Sequence, residues 1–106
     1  MIQDIGDRNF DQIVERSTVP VLIEFWQPGC RHCQVLLREL ERVQQELGDR
    51  LEIYRMNVQE NFLIPAELEI QSLPVLALYK DGKFKTFIGG IGKKKELLAQ
   101  LTSCLP

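Results

Sequence analysis

Hydrophobic residues follow two different patterns along the chain. One pattern predicts strands and the other predicts helices. Short, nearly continuous apolar runs favour strands at residues 2–5, 21–26, 51–58, 75–79 and 84–88. Apolar positions spaced three or four residues apart predict helices at residues 10–17, 30–47, 62–68 and 93–104. Strands and helices therefore alternate along most of the chain.

Polar residues and glycines mark the ends of these elements. Asn9 and Gln12 fit a capping box at the start of the first helix. Gly48 suits the position directly after the second helix, where the backbone turns left-handed. Asp81-Gly82 tolerates the positive φ angles of a type I′ turn, so the last two strands are predicted to form a hairpin.

The run at 21–26 is apolar except for Glu24, which is typical of a strand covered on both faces. The order β-α-β-α-β-α-β-β-α then predicts an α/β fold, with a central mixed sheet flanked by helices. The early βαβ units imply parallel strands with right-handed crossovers, and the hairpin adds antiparallel ones. No linker or repeat divides the chain, so we expect one domain over residues 1–106, with Gly89-Gly90 leading into the last helix.

The composition and net charge of the chain argue against nucleic acids and membranes as binding partners. The 106 residues are 44% hydrophobic and 26% charged, with a formal net charge of -2, which gives no general attraction to nucleic acid or anionic membranes. The basic run at residues 93–95 fits the solvated first turn of the last helix. We recognise no signal peptide or membrane-spanning run and expect a cytoplasmic protein; an excised domain of an exported protein is the alternative.

Two of the three cysteines form a Cys-x-x-Cys motif, Cys30-Arg31-His32-Cys33, where a buried strand meets a helix. The unpaired N–H groups of a helix N-terminus stabilise a thiolate, and one helical turn brings the second sulfur within bonding range of the first. We therefore expect Cys30 to be the exposed attacking sulfur and Cys33 the shielded, resolving one. Cys104 is interpreted as a packing or surface thiol, and a regulatory or dimer-forming thiol is the alternative.

The segment Glu24-Phe25-Trp26-Gln27-Pro28-Gly29 followed by this motif resembles the active-site segment of the thioredoxin family. Leu73-Pro74, the Asp81-Gly82 turn and Gly89 are similar to further family features, in the same order along the chain. The resemblance implies a thioredoxin fold, a thiol–disulfide oxidoreductase, and protein disulfides or dithiols as substrates. It further implies a reductase or another redox partner that recharges the motif, a monomer, and no cofactor.

The resemblance also assigns a substrate-binding surface. Pro74 is expected to be cis and to face the Cys-x-x-Cys motif, where Leu73 presents its backbone to a substrate strand. Trp26 and Gly89 are expected to border the same surface. An ordinary trans proline at the start of a strand, and a tryptophan that only fills the core, are the alternatives.

Glu24 resembles the family's buried acid beneath the second cysteine. Burial raises the pKa of a carboxyl group, so Glu24 is expected to accept the proton of Cys33 through water. Arg55 falls where the family often has a basic partner of that acid. A structural Glu24–Arg55 pair with no part in catalysis is the alternative.

The residues between the cysteines depart from the family, which ordinarily has Gly-Pro there, and Gly29 replaces its second tryptophan. A cationic Arg31 and a hydrogen-bonding His32 stabilise a Cys30 thiolate, which stabilises the reduced form. We therefore expect a reduction potential above that of ordinary thioredoxins.

Two other functions are compatible with these residues. The fold could serve as an adaptor without redox turnover, although both motif cysteines are retained. The other is a zinc or iron–sulfur site to which Cys30, His32, Cys33 and Cys104 contribute. Their placement does not suit a tetrahedral site within one chain, and no metal is expected.

Overall fold

The computed structural model describes residues 2–89 and 93–105 of the chain. Its elements follow the predicted order, with one added 3₁₀ turn at Gly48–Arg50. The strands are β1 (Gln3–Asp4), β2 (Val21–Trp26), β3 (Glu52–Asn57), β4 (Val75–Lys80) and β5 (Lys83–Ile88). The helices are α1 (Phe10–Arg16), α2 (Arg31–Leu47), α3 (Leu63–Glu67) and α4 (Lys94–Cys104).

The five strands form one mixed sheet with the order β1-β3-β2-β4-β5. β3 runs parallel to both β1 and β2, whereas β4 runs antiparallel to both β2 and β5. The predicted mixed α/β sheet is thus confirmed. β2 lies at its centre, with every residue from Val21 to Phe25 buried, as its continuous apolar run predicted.

Helices cover both faces of the sheet and bury a separate core on each. On one face α2 and α4 pack against the strands, with the buried residues Leu36, Leu40, Val43, Leu47, Leu97 and Leu101 from the helices and Leu22, Ile53, Leu76, Leu78 and Ile88 from the sheet. On the other face α1 and α3 do so, with Phe10, Val14 and Ile64 from the helices and Val21, Ile23, Phe25, Met56, Ala77 and Tyr79 from the sheet. Because alternate residues of β2 belong to opposite cores, the strand is held from both sides.

The start of the chain differs from the prediction in two ways. β1 contains only two residues, and Ile2 and Ile5 on either side of it are buried in different cores. The predicted capping box is wrong: Asn9 precedes α1, but its Oδ1 accepts a hydrogen bond from the Gly6 N–H at 2.8 Å and not from a helical N–H. The carbonyl oxygen of Gly6 instead accepts hydrogen bonds from the N–H groups of Asn9 and Phe10.

The hairpin between β4 and β5 confirms the predicted turn. Asp81 has φ +55° and Gly82 has φ +78°, the two positive angles that a type I′ turn requires. Strand pairing continues up to this turn, where Lys80 lies opposite Lys83, so both strands extend one residue beyond the predicted ends. β2 has the predicted bounds, the strand predicted at 51–58 and the helix predicted at 62–68 are each one residue shorter at both ends, and the other helices differ by one residue at one end.

β5 is an edge strand, and all its residues from Lys83 to Phe87 are exposed. Phe84 and Phe87 keep 39% and 47% of their surface accessible. Gly89 follows the strand, and Gly90 lies outside the described residues. No helix within those residues combines the length and apolar character needed to cross a membrane.

Asp7 joins the loop after β1 to α3. Its carboxylate accepts hydrogen bonds from the backbone N–H groups of Phe62 at 2.8 Å, Leu63 at 2.9 Å and Ile64 at 3.0 Å. Partial burial acts to raise the pKa of Asp7, but these three hydrogen bonds outweigh it and lower the pKa below 3.8. Asp7 therefore caps a helix that has no capping side chain of its own.

Replacing this cap should destabilise the fold in a pH-dependent way. We expect Asp7→Ala to lower the free energy of unfolding by about 1–2 kcal/mol at pH 7. Because the pKa of Asp7 is lower in the folded than in the unfolded protein, this contribution is complete above the unfolded pKa and disappears as the pH falls through the folded one. Urea unfolding at pH 7 and pH 2.5 measures both effects. Equal losses in Asp7→Ala and in Asp49→Ala, an exposed control, would refute the capping role.

Candidate active site

The Cys-x-x-Cys motif lies where β2 passes into α2. Residues 27–29 form the connecting loop, in which the Cys30 N–H donates to the Gln27 carbonyl oxygen at 3.2 Å. Cys30 is the N-cap residue of α2, with extended backbone angles (φ -81°, ψ 102°), and the helix begins at Arg31. The sulfur of Cys30 thus lies at the positive end of a 17-residue helix.

Cys30 and Cys33 form a disulfide, with their Cα atoms 5.3 Å apart. The Sγ of Cys30 also accepts a hydrogen bond from the Cys33 N–H at 3.1 Å, so a free helical N–H group is directed at this sulfur. Cys33 is only 2% exposed, whereas Cys30 is half-buried. Cys30 is therefore the more accessible of the two cysteines, and Cys33 is buried by the packing of α2.

The residues around Cys30 leave it open to approach. Arg31 and His32 occupy the first turn of α2 and are both exposed. Gly29, at φ +86°, adopts a conformation that strains any residue with a side chain, and a Cβ atom built there would meet nothing within 4 Å. The place of the family's second tryptophan is therefore an open surface next to the accessible sulfur.

Glu24 is the one buried charged residue among the described positions, at 1% exposure. It shares a face of β2 with Leu22, the face that α2 covers. No group within residues 2–89 and 93–105 forms a hydrogen bond with its Oε2, and the same holds for the buried Nε1 of Trp26. Desolvation raises the pKa of Glu24 to about 8, although the positive charge of Arg55 acts in the opposite direction.

The structure places Arg55 beside Glu24 but does not join them in an ion pair. The two residues are partners in the register of β2 and β3. The Nε of Arg55 instead lies 2.9 Å from the Oδ1 of Asp4, and its guanidinium carbon lies 4.4 Å from the centre of the Trp26 ring. The alternative of a structural Glu24–Arg55 pair therefore finds no direct ion pair among the described residues, although the charge of Arg55 still acts on Glu24.

The Leu73–Pro74 peptide bond is cis, as the resemblance implied. Val75 lies opposite Phe25, so Pro74 lies beside the end of β2 from which the chain enters the cysteine loop. Pro74 also lines a shallow groove of about 310 Å³ that extends to Phe87 on β5, with Leu68, Ile70, Val75 and Ile88 among the other lining residues. Leu73 is half-buried and Gly89 is exposed at the end of β5.

The remaining cysteine lies elsewhere. Cys104 is a free, half-buried thiol in the last residue of α4, and it packs against the core beneath α2 and α4. No group of three or more metal-ligating side chains comes together in the described part of the chain. The zinc alternative therefore lacks a ligand set in this region.

The thioredoxin family model matches residues 1–103, which include all five strands and all four helices except the last residue of α4. The chain belongs to the thioredoxin family. Its sheet order, its cis proline and its disulfide at the start of α2 occur together within the matched region.

Several thioredoxins resemble the chain over nearly its full length. The thioredoxin of Rickettsia typhi is 33% identical over 98 residues, covering 92% of this chain and 93% of the relative. The thioredoxin of Acidithiobacillus ferridurans is 35% identical over 102 residues, with coverages of 95% and 90%. That of Haemophilus influenzae is 33% identical over 90 residues, or 84% of each chain. The chain is a protein-disulfide oxidoreductase of this family, and Cys30 and Cys33 form its redox-active pair.

Two residues at this site were missed in the sequence. Asp4 binds Arg55, but an acid in a two-residue strand has no periodic pattern, and only the register of β1 with β3 places it. Phe87 forms part of the groove at Pro74, but its position in an alternating strand did not indicate which side it would occupy.

The raised pKa of Glu24 predicts an unusual dependence of stability on pH. Between about pH 4.5 and pH 8 the folded protein holds a proton on Glu24 that the unfolded chain releases. The free energy of unfolding should therefore decrease as the pH rises through this range, by at most about 1.4 kcal/mol per pH unit. Urea unfolding of the oxidised protein at pH 5 and pH 8 measures the decrease.

Glu24→Gln should remove most of this pH dependence, because the amide does not titrate. Glu41→Gln, at an exposed position on α2, is the matched control and should keep the wild-type dependence. A Glu24→Gln variant with the same pH dependence as the wild type would show that Glu24 ionises normally.

Proposed function

We propose that the protein exchanges disulfides with polypeptide substrates, with Cys30 as the attacking sulfur and Cys33 as the resolving sulfur. The difference in exposure between the two cysteine residues carries this assignment. A polypeptide disulfide can reach the half-buried Cys30 but not Cys33, which is 2% exposed. Cys30 also has the helix N-terminus and the Cys33 N–H to stabilise its thiolate.

In the reducing direction the exchange has two steps. The Cys30 thiolate attacks one sulfur of the substrate disulfide, so that a Cys30–substrate bond forms and the substrate's own S–S bond breaks. The released substrate thiolate takes a proton from solvent. Cys33 then loses its proton and attacks Cys30, which forms the Cys30–Cys33 disulfide and releases the second substrate thiolate. Two electrons pass to the substrate, and the oxidising direction is the reverse.

Glu24 is proposed to exchange the proton of Cys33, through water. Its pKa of about 8 lies close to the ordinary pKa of a thiol, about 8.5, so transfer in either direction costs little free energy. The ionised form accepts the proton when Cys33 attacks. The neutral form returns it when the Cys30–Cys33 disulfide is reduced.

The substrate segment is proposed to bind along Leu73 and Pro74, with Trp26 and Gly89 bordering the same surface. Pro74 lies beside the end of β2, and its groove offers an apolar surface to side chains near the substrate disulfide. We further propose that the protein acts as a monomer in the cytoplasm and that a reductase or another dithiol partner recharges the motif.

Cysteine variants test the two roles. In the insulin reduction assay with dithiothreitol, Cys30→Ser should fall to the uncatalysed rate, because the attacking sulfur is lost. Cys33→Ser should form mixed disulfides that no longer resolve, and these can be identified after non-reducing electrophoresis. Cys104→Ser is the control and should retain wild-type activity. A wild-type protein without cysteine-dependent turnover would indicate an adaptor instead.

The reduction potential is proposed to exceed that of ordinary thioredoxins. Arg31 and His32 directly follow Cys30, in the first turn of the helix that stabilises its thiolate. A thiolate stabilised by about 1.4 kcal/mol raises the potential of this two-electron couple by about 30 mV if the effect is fully expressed. Both side chains are exposed, so solvent screens part of their effect.

Equilibration with glutathione buffers tests this proposal. The wild-type potential should lie above about -270 mV, the usual thioredoxin value. Arg31→Gly combined with His32→Pro, which restores the family's ordinary dipeptide, should lower it by some tens of millivolts. Arg38→Gln, an exposed arginine further along α2, is the control and should leave it unchanged. A wild-type value at or below the usual one refutes the proposal.

A further inference from the structure

Three ionisable residues form a row across the sheet. Asp4 of β1 lies opposite Arg55 of β3, and Arg55 lies opposite Glu24 of β2. Residues that are partners in the register of a sheet project from the same face, so all three side chains leave the sheet on the side that α2 covers. A single cation is thus placed between two carboxyl groups.

The two carboxyl groups differ in exposure, and the cation binds the exposed one. The side chain of Asp4 is 77% exposed and lies 2.9 Å from the Arg55 Nε, whereas Glu24 is 1% exposed and forms no ion pair in the described residues. An ion pair with Glu24 would require Arg55 to lose most of its hydration, and such a desolvation penalty can exceed the attraction. In the ion pair with the exposed Asp4, the guanidinium group of Arg55 keeps part of its contact with solvent.

Trp26 completes the arrangement. Its ring lies 4.4 Å from the guanidinium carbon of Arg55, which is a cation–π distance. Trp26 is two residues beyond Glu24 on the same face of β2 and directly precedes the cysteine loop. Arg55 is therefore held by one contact to β1 and one contact to β2, and neither contact is with Glu24.

We propose that Asp4 is a positioning residue of the redox site, which holds the Arg55 guanidinium over Trp26 and away from an ion pair with the buried Glu24 carboxyl group. This inference rests on the proposed role of Glu24 in exchanging the Cys33 proton. Without Asp4 the cation is no longer neutralised by an outer carboxylate, and its charge acts more strongly on Glu24.

Few other groups on this face bear on Glu24. Its register partner on β4 is Leu76, and the residue beyond it on β5 is Ile88, so no charge comes from that side. The buried residues of α2 are Cys33, Leu36, Leu40, Val43 and Leu47, none of which is charged, and Cys33 does not titrate while it is disulfide-bonded. In the oxidised protein the ionisation of Glu24 therefore responds chiefly to burial, to Arg55 and, through Arg55, to Asp4.

The test is the pKa of Glu24 in the oxidised protein, measured from the ¹³C shift of its side-chain carboxyl carbon. In Asp4→Asn we expect this pKa to fall by about one pH unit, since the nearby cation is no longer neutralised. Asp4→Glu should restore the wild-type value. Asp49→Asn, an exposed acid on the 3₁₀ turn, should leave it unchanged. Amide shifts of β1 and β3 report whether each variant keeps its strand pairing.

A second pair of variants separates positioning from simple repulsion. Two strand spacings, about 9.6 Å, separate Asp4 from Glu24, and in water direct repulsion over this distance accounts for about 0.3 pH unit. In the Arg55→Gln background, Asp4→Asn should therefore lower the pKa by no more than this amount. An equal fall with and without Arg55, or no fall in Asp4→Asn, would overturn the proposal.

Insulin reduction by the wild-type protein is measured separately. If turnover is absent but the pKa of Glu24 falls as expected, the positioning role stands and the proposed function fails. If turnover is present but the pKa of Glu24 does not change in Asp4→Asn, the positioning role fails and the proposed function stands. The reduction potential of Asp4→Asn, compared with that of Asp49→Asn, then shows whether the change reaches the Cys30–Cys33 couple.

Discussion

The burial of β2 between two cores is the constraint on which the rest of the site depends. Leu22 packs under α2 and α4, and Ile23 packs under α1 and α3, so the strand can shift toward neither face. The loop that leaves its end therefore starts from a fixed point, and α2 begins four residues later with its N-terminus at a defined place. The chemistry of Cys30 follows from this placement, because helix N–H groups stabilise a thiolate only where their direction is fixed.

The same burial creates the unusual carboxyl group. Because both faces of β2 are covered, an acid on this strand has no contact with solvent. Glu24 is therefore desolvated like the apolar residues around it, and this raises its pKa to about 8. The protein keeps this group at a cost in stability that an apolar residue would avoid. A buried group with such a perturbed pKa, on the face covered by the redox helix, is typical of a site where proton transfer is needed.

Local sequence patterns were sufficient to predict the helices and strands. Contacts between residues far apart in the sequence depend on the order and register of the strands, which these patterns do not give. The bounds of β2, the turn at Asp81-Gly82 and the strand-to-helix position of Cys30 all follow from features within a few residues. The ion-pair partner of Arg55 cannot be predicted from neighbouring residues in the sequence. Its choice between Asp4 and Glu24 depends on which strands flank β3 and on the difference in hydration between two acids far apart in the chain. The failed capping box at Asn9 has a similar cause, because the preceding turn already uses that side chain.

The edge strand β5 has a consequence for how copies of the protein meet. In the part of the chain that the structure describes, its backbone pairs with β4 alone, and it exposes two phenylalanines, a feature that favours sheet-to-sheet association. Every lysine of the chain lies between positions 80 and 95, and Lys83 and Lys85 lie on this strand. Two such edges brought together would oppose positive charges across the new ladder. This positive charge disfavours edge-to-edge pairing between two copies of the protein.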